Sequence, residues 1–232
     1  MRQAAADYQT SLATAADRPQ HARSTFDSLD KPKLRAVLYR EQFHLCVYCE
    51  RRVEEGVPPP CIEHWRPLSQ EPQHALDWEN LYLSCSTDGT CDDAKGGLRL
   101  AWAPGDPSLP WPTQAAYENW VGVTSGGEMF VRSDAPLTPA QRRALELAID
   151  DRDDVGTLRA SLLKLNHAAL VAARKAAIDS EKSRLDRDFR GRRASRAERT
   201  AIATSLVTRN ERPAFVSVRV AYLQQTLGRG RP

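Results

Sequence analysis

Apolar and polar positions change their spacing three times along the chain. Up to about Phe43 the period is helical: Ser28-Leu29-Asp30-Lys31-Pro32 reads as a turn, and Leu34, Val37, Leu38 and Gln42 then recur at threes and fours. Between Cys46 and Trp111 that period disappears, prolines gather (Pro58, Pro59, Pro60, Pro67, Pro72, Pro104, Pro107, Pro110), and all five cysteines fall inside the stretch. Past Pro136 the helical pattern returns. Thr138-Pro139 has the form of an N-cap followed by proline at the first helical position, with Leu145, Ala148 and Ile149 as the apolar side. A longer helix is expected from Asp153 to about Asp186, where Leu158, Leu162, Leu165, Ala169, Ala172 and Ala176 alternate with Arg159, Lys164, Arg174 and Lys175. Ser195-Arg196-Ala197-Glu198 predicts a capping box opening another helix through Leu206, and Phe215–Val220 fits strand or helix equally. The expected fold is mainly α with a small α+β element, in three segments: a helical 1–40, a compact loop-rich 41–105, and a helical 106–232 with a basic tail.

Composition narrows the class. Hydrophobic residues make up 41%, charged residues 27%, and the mean hydropathy is −0.55. No apolar run approaches the roughly 18 residues a membrane span needs. Asp7, Asp17 and Arg18 interrupt the first residues before any signal-peptide core can form, so the expected location is cytoplasmic, with no membrane partner. The formal net charge is only +3, but Arg184–Arg231 holds twelve arginines and no lysine against four acids. Such a tail could neutralise nucleic-acid phosphates, or it could be a solvated face in an arginine-rich composition.

In a reducing compartment five cysteines do not suggest a disulfide framework. Cys46-Val47-Tyr48-Cys49 brings two thiolates within reach of one tetrahedral ion, and Cys85 and Cys91 can supply the other two corners of a closed structural zinc site. Cys61 is left over and reads as a packing residue; His44 could substitute as a ligand. Within the loop so framed lies Ile62-Glu63-His64-Trp65-Arg66-Pro67, in which Glu63 and His64 point to opposite sides if the segment is extended, so that one could bind metal while the other faces water.

These elements come in order: the Cys46/Cys49 pair, Glu63-His64, Asn80-Leu81 with Asn80 sixteen residues past the histidine, Cys85, then Cys91-Asp92-Asp93-Ala94-Lys95. Over roughly residues 41–100 the arrangement resembles the zinc-framed branch of the HNH (ββα-metal) nucleases. More widely the chain looks like the PtuB-type HNH proteins of Septu anti-phage systems and the HNH partners of retrons. Gln42, Cys46–Glu50, Ile62–His64 with Arg66-Pro67, and Leu163-Lys164-Leu165-Asn166 with Leu170 and Arg174 carry that wider likeness.

The resemblance implies a metal-dependent endonuclease acting on nucleic acid, DNA first, in anti-phage defence beside a PtuA-type ATPase. It makes His64 the general base, Glu63 and Asp92 ligands of a catalytic Mg²⁺ or Mn²⁺, and Asn80 the residue that holds the loop and orients His64. Lys95 and Arg66 would meet phosphate oxygens. The residue types suit phosphodiester hydrolysis, which needs an activated water and a hard cation. The chain departs from the pattern in two places. Five residues separate Cys85 from Cys91 where two are usual, and Asp92 stands where His or Asn is general, which favours Mg²⁺ or Mn²⁺ and leaves Asp93 as the substitute ligand. Two other classes compete: a non-catalytic zinc-ribbon module that binds nucleic acid or protein, and an unmetallated helical adaptor.

Overall fold

The computed structural model describes residues 2–56, 59–96, 120–150, 163–190 and 192–224. Their order is α1 (Arg2–Thr14), α2 (Arg18–Asp27), α3 (Lys31–Glu41), β1 (Cys61–His64), β2 (Leu81–Ser84), α4 (Cys91–Lys95), β3 (Val121–Val123), β4 (Met129–Val131), α5 (Pro139–Ile149), α6 (Ala168–Asp188), α7 (Arg196–Thr208) and α8 (Val216–Leu223). Helix dominates, as expected, and the strands form two small antiparallel sheets. No helix among the described residues is long and apolar enough to cross a membrane.

The helix starts follow local side-chain chemistry. Asp17 and Asp30 accept from the backbone of Gln20 and Lys33, and a proline stands in the first turn of α2 and α3, so the N-terminal helical stretch is cut into three pieces. The capping box expected at Ser195 is present, closed by Glu198, and the expected N-cap at Thr138 is also a capping box, closed by Gln141. The ambiguous Phe215–Val220 segment resolves as helix, with Phe215 left-handed just before α8.

Two expectations need correcting. The long helix begins only at Ala168: residues 163–167 form a buried turn in which Lys164 is left-handed (φ 47°), and His167 caps the helix through its ring nitrogen. Residues 153–162 of that expected helix, and 225–232 of the basic tail, lie outside the described residues. The C-terminal segment is also not purely helical, because Val121–Val123 pairs with Met129–Val131 as a hairpin. Asn166 clamps that hairpin: its side chain accepts from Met129 N (2.8 Å) and donates to Met129 O (2.9 Å). Arg174, wholly buried, donates to the carbonyls of Gly127 (2.6 Å) and Leu165 (2.7 Å) and fixes hairpin, turn and α6 together.

The main core joins these parts. Leu38 and Tyr39 of α3, Cys46–Cys49, Leu83, Cys85 and Cys91 share one apolar cluster with Val121, Met129, Leu145, Leu163, Leu170, Ile178 and Phe215. A second cluster (Tyr8, Leu12, Ala22, Phe26, Leu68, Ala75, Leu81) seats α1 and α2 on the loop between β1 and β2. Glu50 ties the far end of the chain to Cys49: its buried carboxylate accepts from the backbone N–H (3.0 Å) and hydroxyl (2.6 Å) of Ser217, and its carbonyl from Phe215 N (2.9 Å).

Gly127 has φ +91°, and a Cβ there would press on the Val171 carbonyl and come 2.9 Å from Lys175 N. Gly127→Ala is expected to lower unfolding free energy by about 2 kcal/mol or more, combining a disfavoured φ with a backbone clash. Urea denaturation of the two proteins checks it, and an unchanged midpoint would contradict it.

Candidate metal centre and the cleft beside it

The segment from Cys46 to Glu50 closes on itself as a tight turn. Glu50 N donates back to Cys46 O (3.1 Å), Cys46 N donates to Arg51 O (2.8 Å), and Glu50 takes the left-handed conformation (φ 58°). Val47 N reaches Leu83 O of β2 (2.9 Å), and Gln42 bonds Leu83 from both sides, donating to its carbonyl (3.0 Å) and accepting from its N–H (2.7 Å). The turn is thereby hung on β2, whose next residue is Cys85. Cys91 opens α4 in a left-handed conformation (φ 56°), held by its N–H on Leu163 O (2.9 Å).

These constraints gather four buried sulfurs, of Cys46, Cys49, Cys85 and Cys91, all within 4.8 Å of one another. Cys49 Sγ and Cys85 Sγ are 3.8 Å apart. A tetrahedral ion with bonds of about 2.3 Å to sulfur requires sulfur–sulfur edges of about 3.8 Å, so the donor set fits zinc. The five-residue spacing between Cys85 and Cys91 is no obstacle, because the left-handed turn at Cys91 brings its sulfur back. Electrostatics agrees: thiol donors from Cys46, Cys49 and Cys91 pull the Cys85 thiol strongly down, while its neighbours Cys49 and Cys91 are driven up. Four crowded sulfurs cannot all ionise without a cation. Cys61 stands outside the group, its thiol pushed up to about 11 by burial and then by Asp92. His44 stacks on Tyr39 and is not among the four either.

The antiparallel pair β1–β2 sets Cys61 opposite Ser84, Glu63 opposite Tyr82 and His64 opposite Leu81, and α4 follows. Neither Glu63 nor His64 faces open water, as strict alternation predicts for one of them. Tyr48 from the cysteine turn and Lys95 from α4 cover Glu63, and α2 covers His64. Tyr48 donates to Glu63 Oε1 (2.8 Å); Lys95 Nζ donates to the same oxygen and to His64 O (2.9 Å). Burial first, and Asp92 second, push the Glu63 carboxyl up to about 8, against the pull of Lys95. Two carboxylates thus share one desolvated corner.

His64 Nε2 lies 3.0 Å from the Ala75 carbonyl, which can only accept, so Nε2 carries the proton and Nδ1 of the neutral ring is a free base. Burial lowers His64 to about 4, the Ala75 carbonyl opposing, with the charges of Arg23, Lys95 and Lys31 adding to the fall. Phe26 of α2 meets the imidazole edge-on, ring centres 4.4 Å apart. Asn80 pins the intervening loop: Oδ1 accepts from Arg66 N (2.6 Å), and Nδ2 donates to Arg66 O (3.2 Å) and His74 O (2.9 Å). The carbonyl next to His74 is the one that holds His64.

A cleft of about 580 Å³ opens here, lined by Glu63, His64, Asp92, Asp93 and Lys95, by Pro67–Ser69, and by Asp17, Pro19, Gln20 and Arg23 of the N-terminal helices. Glu63, His64, Asp92 and Lys95 therefore come together, with Asn80 behind them. Arg66 does not line the cleft: it donates to His74 Nε2 (3.0 Å), whose Nδ1 faces Asp77, and it lies 4.0 Å from Glu71. Lys95 lines the cleft but is only 1% exposed and occupied by Glu63. Sequence reasoning missed Tyr48 and Arg23. The first could have been suspected from its place between the paired cysteines; nothing local marks the second.

No known family model matches the chain. The chain is similar to the Septu protein PtuB of Bacillus thuringiensis, 33% identical over 66 residues. The match covers 28% of this chain and 24% of that protein, so the chain spans about a quarter of the length of the relative it matches.

Purified chain is expected to carry close to one zinc per molecule by elemental analysis. Cys85→Ser should lose most of it and melt several degrees lower, because structural zinc contributes folding energy directly. A wild-type protein free of zinc and indifferent to chelators would overturn the assignment.

Proposed function

We propose that the chain is a metal-dependent endonuclease of the HNH type that hydrolyses phosphodiester bonds in nucleic acid, DNA first, within an anti-phage defence system. The observation that carries this reading is the meeting of a neutral, carbonyl-oriented His64 with two adjacent carboxylates, Glu63 and Asp92, in one cleft beside a four-cysteine centre. The likeness to the Septu protein PtuB supports the defence setting, and with it an ATPase partner of the PtuA type and a cytoplasmic place of action.

In this reading His64 Nδ1 accepts the proton of the attacking water, and the Ala75 carbonyl keeps the ring in the tautomer that leaves that nitrogen bare. Asn80 is a positioning residue that fixes the loop carrying Ala75. Glu63 and Asp92, hard oxygen donors, would hold Mg²⁺ or Mn²⁺, which would stabilise charge developing on the phosphate. Tyr48 and Lys95 position Glu63. The four cysteines brace β2 and α4 and take no part in proton transfer. Residues 41–105 form the nuclease module, 1–40 a helical segment laid against it, and 106–232 the part that docks the partner or nucleic acid.

The first test incubates purified protein with plasmid DNA and Mg²⁺ or Mn²⁺, with and without the ATPase. His64→Ala is expected to abolish cleavage with zinc content unchanged; cleavage surviving the substitution would remove His64 as base. Tyr48→Phe should leave zinc in place but raise the Mn²⁺ concentration for half-maximal cleavage by about tenfold or more, since residues behind a ligand typically change metal affinity 10–100-fold. An unchanged Mn²⁺ titration would rule out that role.

A second reading, a non-catalytic zinc module that binds nucleic acid or protein, is favoured by one observation: Lys95 already neutralises Glu63. It expects bound zinc without divalent-dependent cleavage under any of these conditions.

A further inference from the structure

Both cations that the sequence offers for the substrate phosphate are engaged elsewhere: Lys95 is buried on Glu63, and Arg66 is tied to His74 and Glu71 away from the cleft. The wall opposite is α2, fixed by its own chemistry. Asp17 caps it, Ala22 and Phe26 bury against Leu68, Ala75 and Leu81, and Phe26 rests edge-on against His64. Residues three and four apart on a helix share a face. Pro19, Arg23 and Phe26 therefore form one stripe, and with Phe26 seated on the imidazole, Arg23 is held one turn away beside it. Pro19, Gln20 and Arg23 do line the cleft, and Arg23 is exposed. Its guanidinium has no carboxylate partner among the described residues. Of the acids on the same walls, Asp17 accepts from Gln20 N (3.0 Å) and Asp93 from Gly89 N (2.6 Å), which leaves them serving as backbone caps.

We propose that Arg23 is the residue that binds the phosphate backbone of a nucleic-acid strand in the cleft, so that α2 is part of the substrate site. The inference rests on the nuclease reading for the identity of the ligand, and on the cleft geometry for the place. A planar guanidinium offers two parallel donors to phosphate oxygens, a geometry an ammonium lacks. Arg23 then holds the strand from the side facing His64, with the paired carboxylates on the other side of the cleft.

The test is fluorescence anisotropy of a labelled 20-base-pair DNA duplex with the full-length chain in Ca²⁺, over a range of NaCl concentrations. Wild type, Arg23→Gln, Arg23→Lys and Arg40→Gln are compared, Arg40 being an exposed arginine of α3 outside the cleft lining. Zinc content and thermal melting confirm that each variant is folded. Arg23→Gln is expected to bind about tenfold or more weakly, as for a charged hydrogen bond, and its slope of log affinity against log salt to fall by about one. Arg23→Lys should keep the slope but recover only part of the affinity, and Arg40→Gln should match wild type. If Arg23→Gln keeps both affinity and slope while wild type cleaves and His64→Ala does not, the role of Arg23 is overturned and the nuclease reading stands. If Arg23→Gln loses binding but wild type never cleaves, Arg23 stands and the nuclease reading falls. A wild type that neither binds nor cleaves, with or without the ATPase, removes both.

Discussion

Four sulfurs brought to one point within an apolar core are the constraint on which the rest of the molecule depends. The turn at Cys46–Glu50, the end of β2 and the start of α4 are each anchored by one or two of them. Two of the anchoring segments hold left-handed residues that are not glycine, Glu50 and Cys91. Such backbone costs on the order of 1 kcal/mol or more per position and persists only where surrounding contacts over-determine it. Here the packing of four buried sulfurs against one another, together with Leu163 O on one side and α8 on the other, supplies that determination.

Because Tyr48 lies between the two cysteines of the turn, its side chain connects the cysteine cluster directly to the cleft. Its wholly buried hydroxyl ends on Glu63, and Lys95, four residues past Cys91, ends on the same oxygen. Glu63 is therefore gripped from two segments that the sulfurs hold in register. On the other side of β1, the His64 ring is placed by the Asn80-pinned loop and Phe26 of α2, while its backbone carbonyl accepts from Lys95 (2.9 Å). Glu63 and His64 therefore share Lys95, and the orientation of the imidazole rests in addition on the Ala75 carbonyl and Phe26.

How much of this could be read in the residues depended on the range of the interaction. Helix starts are decided within four residues, and the N-cap at Thr138 and the box at Ser195 were plain from side-chain type alone. The cysteine pairs were legible because tetrahedral coordination ties spacing to chemistry. The hairpin at Val121–Val131 carried a usable local signal, short apolar runs around Ser125-Gly126-Gly127, but was masked by the helical pattern on its C-terminal side. The destinations of Lys95 and Arg66 were not legible, because a long cation goes to whichever acceptor the tertiary fold presents, and Glu63 and His74 were nearer than the open cleft. Arg23 was invisible for the same reason: its importance comes from the ring its helical neighbour touches, more than thirty residues away in sequence.

The Glu50 contacts join positions separated by 167 residues. On the ribosome the four cysteines have all emerged once Cys91 is clear, before most of the C-terminal half, whereas the carboxylate beside Cys49 waits for Ser217 to be synthesised. Assembly of the cysteine cluster draws on one stretch of chain, and closure of the turn that carries it draws on another made much later.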